Sequence, residues 1–405
     1  MDGTYRGRRG NRNDNDKIRH INDRTGRGSK GRDRGGVRIE IHEMDGVIVG
    51  TVAVLLVIGI IMVFSSSYYT ALREGRSMFH YLFNQLRAAL LGVVAMVVMS
   101  NINYRALGKL TPILYIVSIP LLIYTGLFGI GSHGARRWIA MPIFGSFQTV
   151  EFVKMALVLF MAYLITLLYN RNKFRGWMNI IVCGILTIIP AGLAWHFTSS
   201  LSGALTLAAM GFAMIFIASP YFWRFIAIIG AAFAGMVAFL TFSDGYQARR
   251  FENFFDPWSD PLGAGYQVIQ GLYAVASGGL FGQGLGNSRQ KLIFMVEPHN
   301  DFIFAIIAEE LGFVGAAIII ILFCVLIYRG VRVALNAPDL LGTLIATGIV
   351  VMITVQVIIN IGVVTATIPN TGVPLPFISY GGTAILFLMA MVGILLNVSR
   401  YSKAV

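Results

Sequence analysis

Runs of about twenty apolar residues, separated by short polar connections, recur along almost the whole chain. They fall at about 46–66, 82–100, 110–128, 150–169, 178–197, 203–219, 222–242, 302–328, 340–364 and 383–398. Each is long enough for a helix to cross a hydrocarbon core roughly 30 Å thick. Barrel strands would alternate with period two, and these runs do not. The pattern predicts an all-α integral membrane protein of about ten transmembrane helices. A large extracytoplasmic loop, about 243–301, is expected between the seventh and the eighth.

Composition agrees: of 405 residues, 56% are hydrophobic and 13% charged, too apolar a balance for a soluble core. Cys183 and Cys324 both sit in apolar runs, which suggests neither a disulfide framework nor a thiolate metal cluster. The first 45 residues differ from the rest, being rich in Arg, Gly, Asn and Asp. The expectation is a basic, disordered cytoplasmic tail (1–45) held near anionic membrane lipid, followed by a polytopic membrane domain (46–405). Nucleic-acid binding is not expected of the tail, since Asp14, Asp16, Asp23 and Asp33 interleave its arginines and no aromatic platform accompanies them.

With both termini in the cytoplasm, the short segments "NINYRALGK", "NRNKFRGW", "SPYFWR", "YRGVRVALNAPD" and "SRYSKAV" all fall inside, and each carries Arg or Lys. The opposite set then contains Arg136, Arg137, Arg249, Arg250, Arg289 and Lys291, against the topological bias. As a set they are candidates for binding an anion. The plainer reading is contact with lipid head groups or with Asp244, Glu252, Asp256 and Asp260.

The stretch "VEPHNDFIFAIIAEELG", Val296 to Gly312, places Asp301 at the outer mouth of the eighth helix. A carboxylate at that mouth, on the side that carries the outer cations, makes Asp301 the best candidate for a general base. It would equally serve as a helix cap, which favours its ionised form, so a base role would require partial desolvation by bound lipid. Glu297 and His299 are expected to tune that centre or hold a divalent cation; two such residues do not define a metal site. Glu309 and Glu310 lie about 80° and about 180° round the helix from Asp301, and at that depth both should turn into the bundle. Glu151 and Lys154, at i,i+3, should neutralise each other as a salt bridge. "PNTGVPLPFISYGG" is too rich in Pro and Gly for a helix and is expected to form a re-entrant wall, with Ser379, Tyr380, Gly381 and Gly382 facing a cavity; an ordinary loop is the alternative. Gly282, Gly284 and Gly286 are not a nucleotide fingerprint, since no βαβ pattern surrounds them.

The stretch from Tyr246 to Gly312, with "GARRWI" at Gly134 to Ile139, "QTVEFVK" at Gln148 to Lys154 and "NIGVVTATIPNTGVPLPFISYGGT" at Asn360 to Thr383, resembles the SEDS family of bacterial cell-wall polymerases. "GQGLGNSRQK" looks like the division (FtsW) and sporulation (SpoVE) branches rather than the elongation (RodA) branch, and the division branch is favoured. The resemblance implies a peptidoglycan glycosyltransferase that polymerises lipid II on the outer face of the cytoplasmic membrane, at the division septum. Its partners would be a class B penicillin-binding protein, an FtsI-like transpeptidase, and other division proteins. It carries the catalytic role onto Asp301, a cavity-lining role onto Glu151 and Lys154, and proximity to lipid II onto Ser379 to Gly382. Two stretches depart from the family pattern: "SSLSGA" at Ser199 to Ala204 puts Leu201 where an aspartate is usual, and "QTVE" replaces a proline with Thr149. A lipid II flippase and a non-catalytic scaffold that activates the penicillin-binding protein are the competing readings.

Overall fold

The computed structural model describes residues 42–132, 135–141, 145–171, 177–219, 256–263, 265–295 and 297–402, with Phe174, Trp223 and Phe254 between them. The basic tail, the run at 222–242, Arg249 and Arg250 therefore lie outside the described residues, apart from Trp223 and the last few residues before the first helix.

Among the described residues nine helices are long and apolar enough to cross a membrane. They are α1 (Gly46–Arg73), α2 (His80–Asn101), α4 (Thr111–Phe128), α5 (Thr149–Asn170), α6 (Trp177–Thr198), α7 (Leu201–Ala218), α10 (Ile303–Asn336), α11 (Leu340–Val364) and α12 (Gly382–Tyr401). Short helices α3 (Tyr104–Leu107), α8 (Tyr266–Gly278) and α9 (Gln290–Ile293) complete the set. The protein is a multi-pass helical membrane protein.

Burial ranks the helices. In the most apolar stretches of α11 and α12, 72% and 78% of residues are buried, against 28% in α2, α4 and α10. The first two form the centre of the bundle, while large apolar side chains on α2 and α4, such as Leu90, Val94, Ile113 and Ile116, point outward, as a lipid solvent permits.

At one end of the bundle polar side chains tie the helices together. Asp45 accepts from the Val47 and Ile48 amides, capping α1, and pairs with Arg329 of α10 at 2.8 Å. Asp339 caps α11 by accepting from the Gly342 amide, and it binds Arg105 at 2.7 Å and the Tyr104 hydroxyl at 3.0 Å.

Two features of the other end differ from expectation. The segment between α4 and α5 is not a plain loop: strands β1 (Ile130–Ser132), β2 (Ala135–Met141) and β3 (Gly145–Gln148) form an antiparallel sheet in the order β1-β2-β3, with Ile139 opposite Phe147. Helix α10 is broken at Gly312, whose φ of 69° and ψ of −168° leave the helical region. A segment of 279–284 closes the break. The Glu309 and Glu310 carbonyls accept from the Gln283 and Gly284 amides at 2.9 and 3.0 Å, while the Phe313 and Val314 amides donate to the Gly279 and Leu280 carbonyls at 2.9 and 3.1 Å. Two backbones approach so closely that a methyl at Gly282 would lie 2.1 Å from the Glu310 carbonyl oxygen, and one at Gly312 would lie 2.3 Å from the Gly282 nitrogen. These glycines thus serve a backbone clip that satisfies groups freed by the break.

Candidate functional site

Asp301 sits in the turn that leads into α10. The helix starts at Ile303 with Phe302 in the cap position and no side-chain cap hydrogen bond, so Asp301 lies one residue before the cap rather than in it. Opposite the turn runs the irregular segment after α11, where Gly372 has a φ of 69°. A methyl at Gly372 would lie 3.0 Å from Asp301 Oδ2 and 3.7 Å from Arg137 Nη1. The carboxylate and the guanidinium, far apart in sequence, thus converge on the same bare backbone, which only a residue without Cβ leaves open to them.

β2 explains why one of the paired arginines reaches this point and the other does not. Successive side chains on a strand point to opposite faces. Arg137 lines a cleft and donates to the Ser199 carbonyl at 3.1 Å. Arg136, exposed, donates instead to the Leu127 carbonyl in the last turn of α4, a place where a cation meets the negative end of the helix dipole.

Below Arg137 the cleft is lined by Glu151 and Lys154 of α5, Ser202 and Thr206 of α7, Gln356 of α11 and Gly372 to Pro374. Glu151 and Lys154 form the expected pair, 2.7 Å apart. A second cleft shares Glu151, Gln356 and Pro374 with the first and is lined further by Leu375 to Phe377, Ser379, Tyr380, Ile385 and Leu388, so a largely apolar cleft adjoins the polar one. The segment 372–381 forms a wall of both clefts. Ser379 and Tyr380 face the second cleft. The Ser379 hydroxyl donates to the Asn300 carbonyl and accepts from the Leu375 amide, both at 2.7 Å. The Gly381 amide donates to Gln85 Oε1 at 3.3 Å, and Gly382 opens α12.

Where the chain departs from the family pattern, hydroxyls take over. Ser200 caps α7 by accepting from the Gly203 amide at 3.2 Å, Ser202 lines the cleft, and Leu201 is half-buried between them. Thr149 pairs with the Thr125 hydroxyl at 2.5 Å.

Lys291 has a different setting from the one expected of an outer diphosphate-binding cation. It is buried: Nζ bonds Glu310 Oε1 and, at 3.1 Å, Ser65 Oγ, and it lies 5.1 Å from the centre of the Tyr68 ring. A charge withdrawn from solvent and already neutralised offers nothing to a substrate, so Lys291 is a structural cation and not a diphosphate ligand. Glu310 also accepts from Ser65 Oγ at 2.6 Å, while Glu309 accepts from Ser288 Oγ at 2.5 Å and the Arg289 amide at 2.9 Å. Both glutamates therefore turn inward to separate partners.

His299 is buried, packed between Tyr81 (ring centres 4.5 Å apart) and Tyr380 (5.5 Å), and burial pushes its imidazole down to about 4. It is neutral at physiological pH. Glu297 is exposed and accepts from Asn300 Nδ2 at 2.7 Å within the turn. Among the described residues no group of three His, Cys, Asp or Glu stands close enough to hold a metal ion.

Fold and site define a class: a helical membrane protein whose buried polar cleft opens beside a carboxylate and a guanidinium at one end of the bundle. The model of the FtsW/RodA/SpoVE family of cell cycle proteins matches residues 46–404, and the chain belongs to that family. It is 41% identical over 351 residues to stage V sporulation protein E of Bacillus subtilis, covering 86% of this chain and 95% of that one. It is 38% identical over 369 residues to the probable peptidoglycan glycosyltransferase FtsW of Trichlorobacter lovleyi, covering 90% and 95%. Among solved structures, one describing the structural coordination of polymerization and crosslinking by a peptidoglycan synthase complex superposes with a TM-score of 0.73 at 29% identity, over 88% of this chain and 98% of that one. The crystal structure of the rod shape determining protein RodA of Thermus thermophilus gives 0.65 at 25% identity, over 89% and 98%.

The sequence reading missed Asn360 and Gln85. Both are amides inside apolar helices and nearly sealed from solvent, and the signal that marks them is that an uncharged polar side chain at that depth needs a partner.

Proposed function

We propose that the chain is a peptidoglycan glycosyltransferase that polymerises lipid II at the outer face of a bacterial cytoplasmic membrane. The observation that carries this reading is the meeting of Asp301 and Arg137 at Gly372, on the rim of the Glu151–Lys154 cleft. Asp301 takes the proton of the attacking sugar hydroxyl. The hydroxyl oxygen bonds to the anomeric carbon of the donor as the bond to the diphosphate breaks, and the diphosphate leaves with the bonding electrons towards Arg137. The apolar wall of the second cleft suits the first part of a polyprenyl chain, and the names of the chain's relatives support the same chemistry.

On this reading both termini lie in the cytoplasm, the protein works at the division septum, and a class B penicillin-binding protein crosslinks the product. Arg249 and Arg250 stay as contributors to diphosphate binding, and Glu297 as a residue that tunes the centre. The test supplies the purified chain, with that partner, with labelled lipid II. Glycan chains that form with the wild type and vanish in Asp301→Ala are the expected result. Unchanged polymer with Asp301→Ala removes the assigned base. Protein-dependent passage of lipid II across vesicles without polymer would make the protein a flippase.

A further inference from the structure

Three successive carbonyls of the turn that carries Asp301 are each held by a donor from another part of the chain. The His299 oxygen accepts from the Tyr380 amide at 3.0 Å, the Asn300 oxygen from Ser379 Oγ at 2.7 Å, and the Asp301 oxygen from Asn360 Nδ2 at 2.8 Å. The same Asn360 Nδ2 donates to the Val373 carbonyl at 2.7 Å, the residue after Gly372. One amide group thus fastens the base-bearing turn to the wall it faces.

Asn360 lies four residues from the end of α11, one of the two most buried helices, and is itself 1% exposed. Its Nδ2 carries two protons, and the two carbonyls use both. Ser379 is fastened in turn, because its hydroxyl accepts from the Leu375 amide and its carbonyl accepts from Gln85 Nε2 at 3.2 Å.

We infer that Asn360, assisted by Ser379, is the positioning residue of this site: it sets the distance between the Asp301 turn and the Gly372–Val373 wall without touching substrate. This rests on Asp301 being the base. Displacing a reacting group by about 1 Å can cost on the order of 10²-fold in rate. Loss of the Asn360 donors would also leave two carbonyls without partners, so the turn and the wall would part to find new ones. Asn360 is uncharged, lines neither cleft and acts through backbone geometry alone; Ser379 lines the second cleft, yet its hydroxyl is engaged by the Asn300 carbonyl and the Leu375 amide.

The experiment measures kcat and KM for lipid II polymerisation by the full chain with its penicillin-binding partner, for the wild type, Asp301→Ala, Asn360→Leu and Ser379→Ala. Leucine keeps the branched shape of asparagine and its number of heavy atoms and removes its donors. The expected result is a kcat at least about tenfold lower in both variants, KM within about twofold, and a thermal midpoint for Ser379→Ala close to wild type. A kcat near wild type in both, with Asp301→Ala inactive, overturns the inference and leaves the base standing. A loss that appears in KM alone assigns the two residues to substrate binding and also overturns it. Activity retained by Asp301→Ala removes the base, and the inference falls with it. Should Asn360→Leu fail to fold, Ser379→Ala decides by the same criteria.

Discussion

Glu151 and Lys154 meet at 2.7 Å on one face of α5, and Lys291 meets Glu310 between α9 and α10; both pairs are almost withdrawn from solvent. The first pair lines a cleft, so its charges are neutral towards each other yet still within reach of a ligand. The second is closed on all sides, by Ser65, by the Tyr68 ring and by the chain of α9, next to the point where the 279–284 segment clips the broken α10. Two pairs of the same chemistry therefore do different work. One lines an open cleft, and the other ties α9 to α1 and α10 through Ser65 and Glu310. Burial of charge marks importance, and only the opening beside it tells chemistry from architecture.

Breaking the closed pair should have the largest effect on folding. Lys291→Met leaves Glu310 charged and unpaired in a sealed site, which costs about 3–5 kcal/mol; the thermal midpoint of the purified protein should fall steeply. A midpoint within a degree or two of wild type would mean that the pair is not structural.

His299 is a further buried titratable group, packed against two tyrosine rings instead of a counter-ion. Its imidazole titrates at about 4 when folded, below the usual 6.5 that it has when unfolded. The unfolded state therefore binds the proton first as pH falls. The stabilisation is fully present above about 6.5 and is lost as pH drops towards 4, by at most about 3 kcal/mol. His299→Phe should keep the tilted and edge-on ring contacts with Tyr81 and Tyr380 and flatten the acid limb of stability against pH. An unchanged slope would show that His299 does not titrate there.

Glu151→Gln should have the smallest effect on folding, about 1 kcal/mol, since glutamine keeps a carbonyl oxygen that accepts from Lys154 Nζ. Polymerisation should nevertheless fall at least about tenfold. The opposite pattern, lost folding with full activity, would exchange the roles of the two pairs.

Much of this was legible in the chain. Nine of the ten expected spans were, because a membrane imposes about twenty apolar residues on each crossing helix; so were the Glu151–Lys154 pair and the inward turn of Glu309 and Glu310, since charge at that depth must find partners. Lys291 misled because its position in a polar connection gives no sign that the connection folds back against α1 and α10. The sheet escaped notice because its strands are short and its turns hide any alternation. The Asn360 clamp was invisible for a plainer reason: it joins carbonyls, which no side-chain pattern reports. The arginines at 136 and 137 read as one cation pair, and only the strand, which turns them to opposite faces, separates them.

The central claim is that Asp301 performs the proton transfer and that its surroundings hold it in place without taking part. The direct test is the rate of lipid II polymerisation by Asp301→Asn, which keeps the size of the side chain and removes its basicity, in protein whose thermal midpoint matches wild type. No polymer above background is the predicted result, and polymer at the wild-type rate would contradict it.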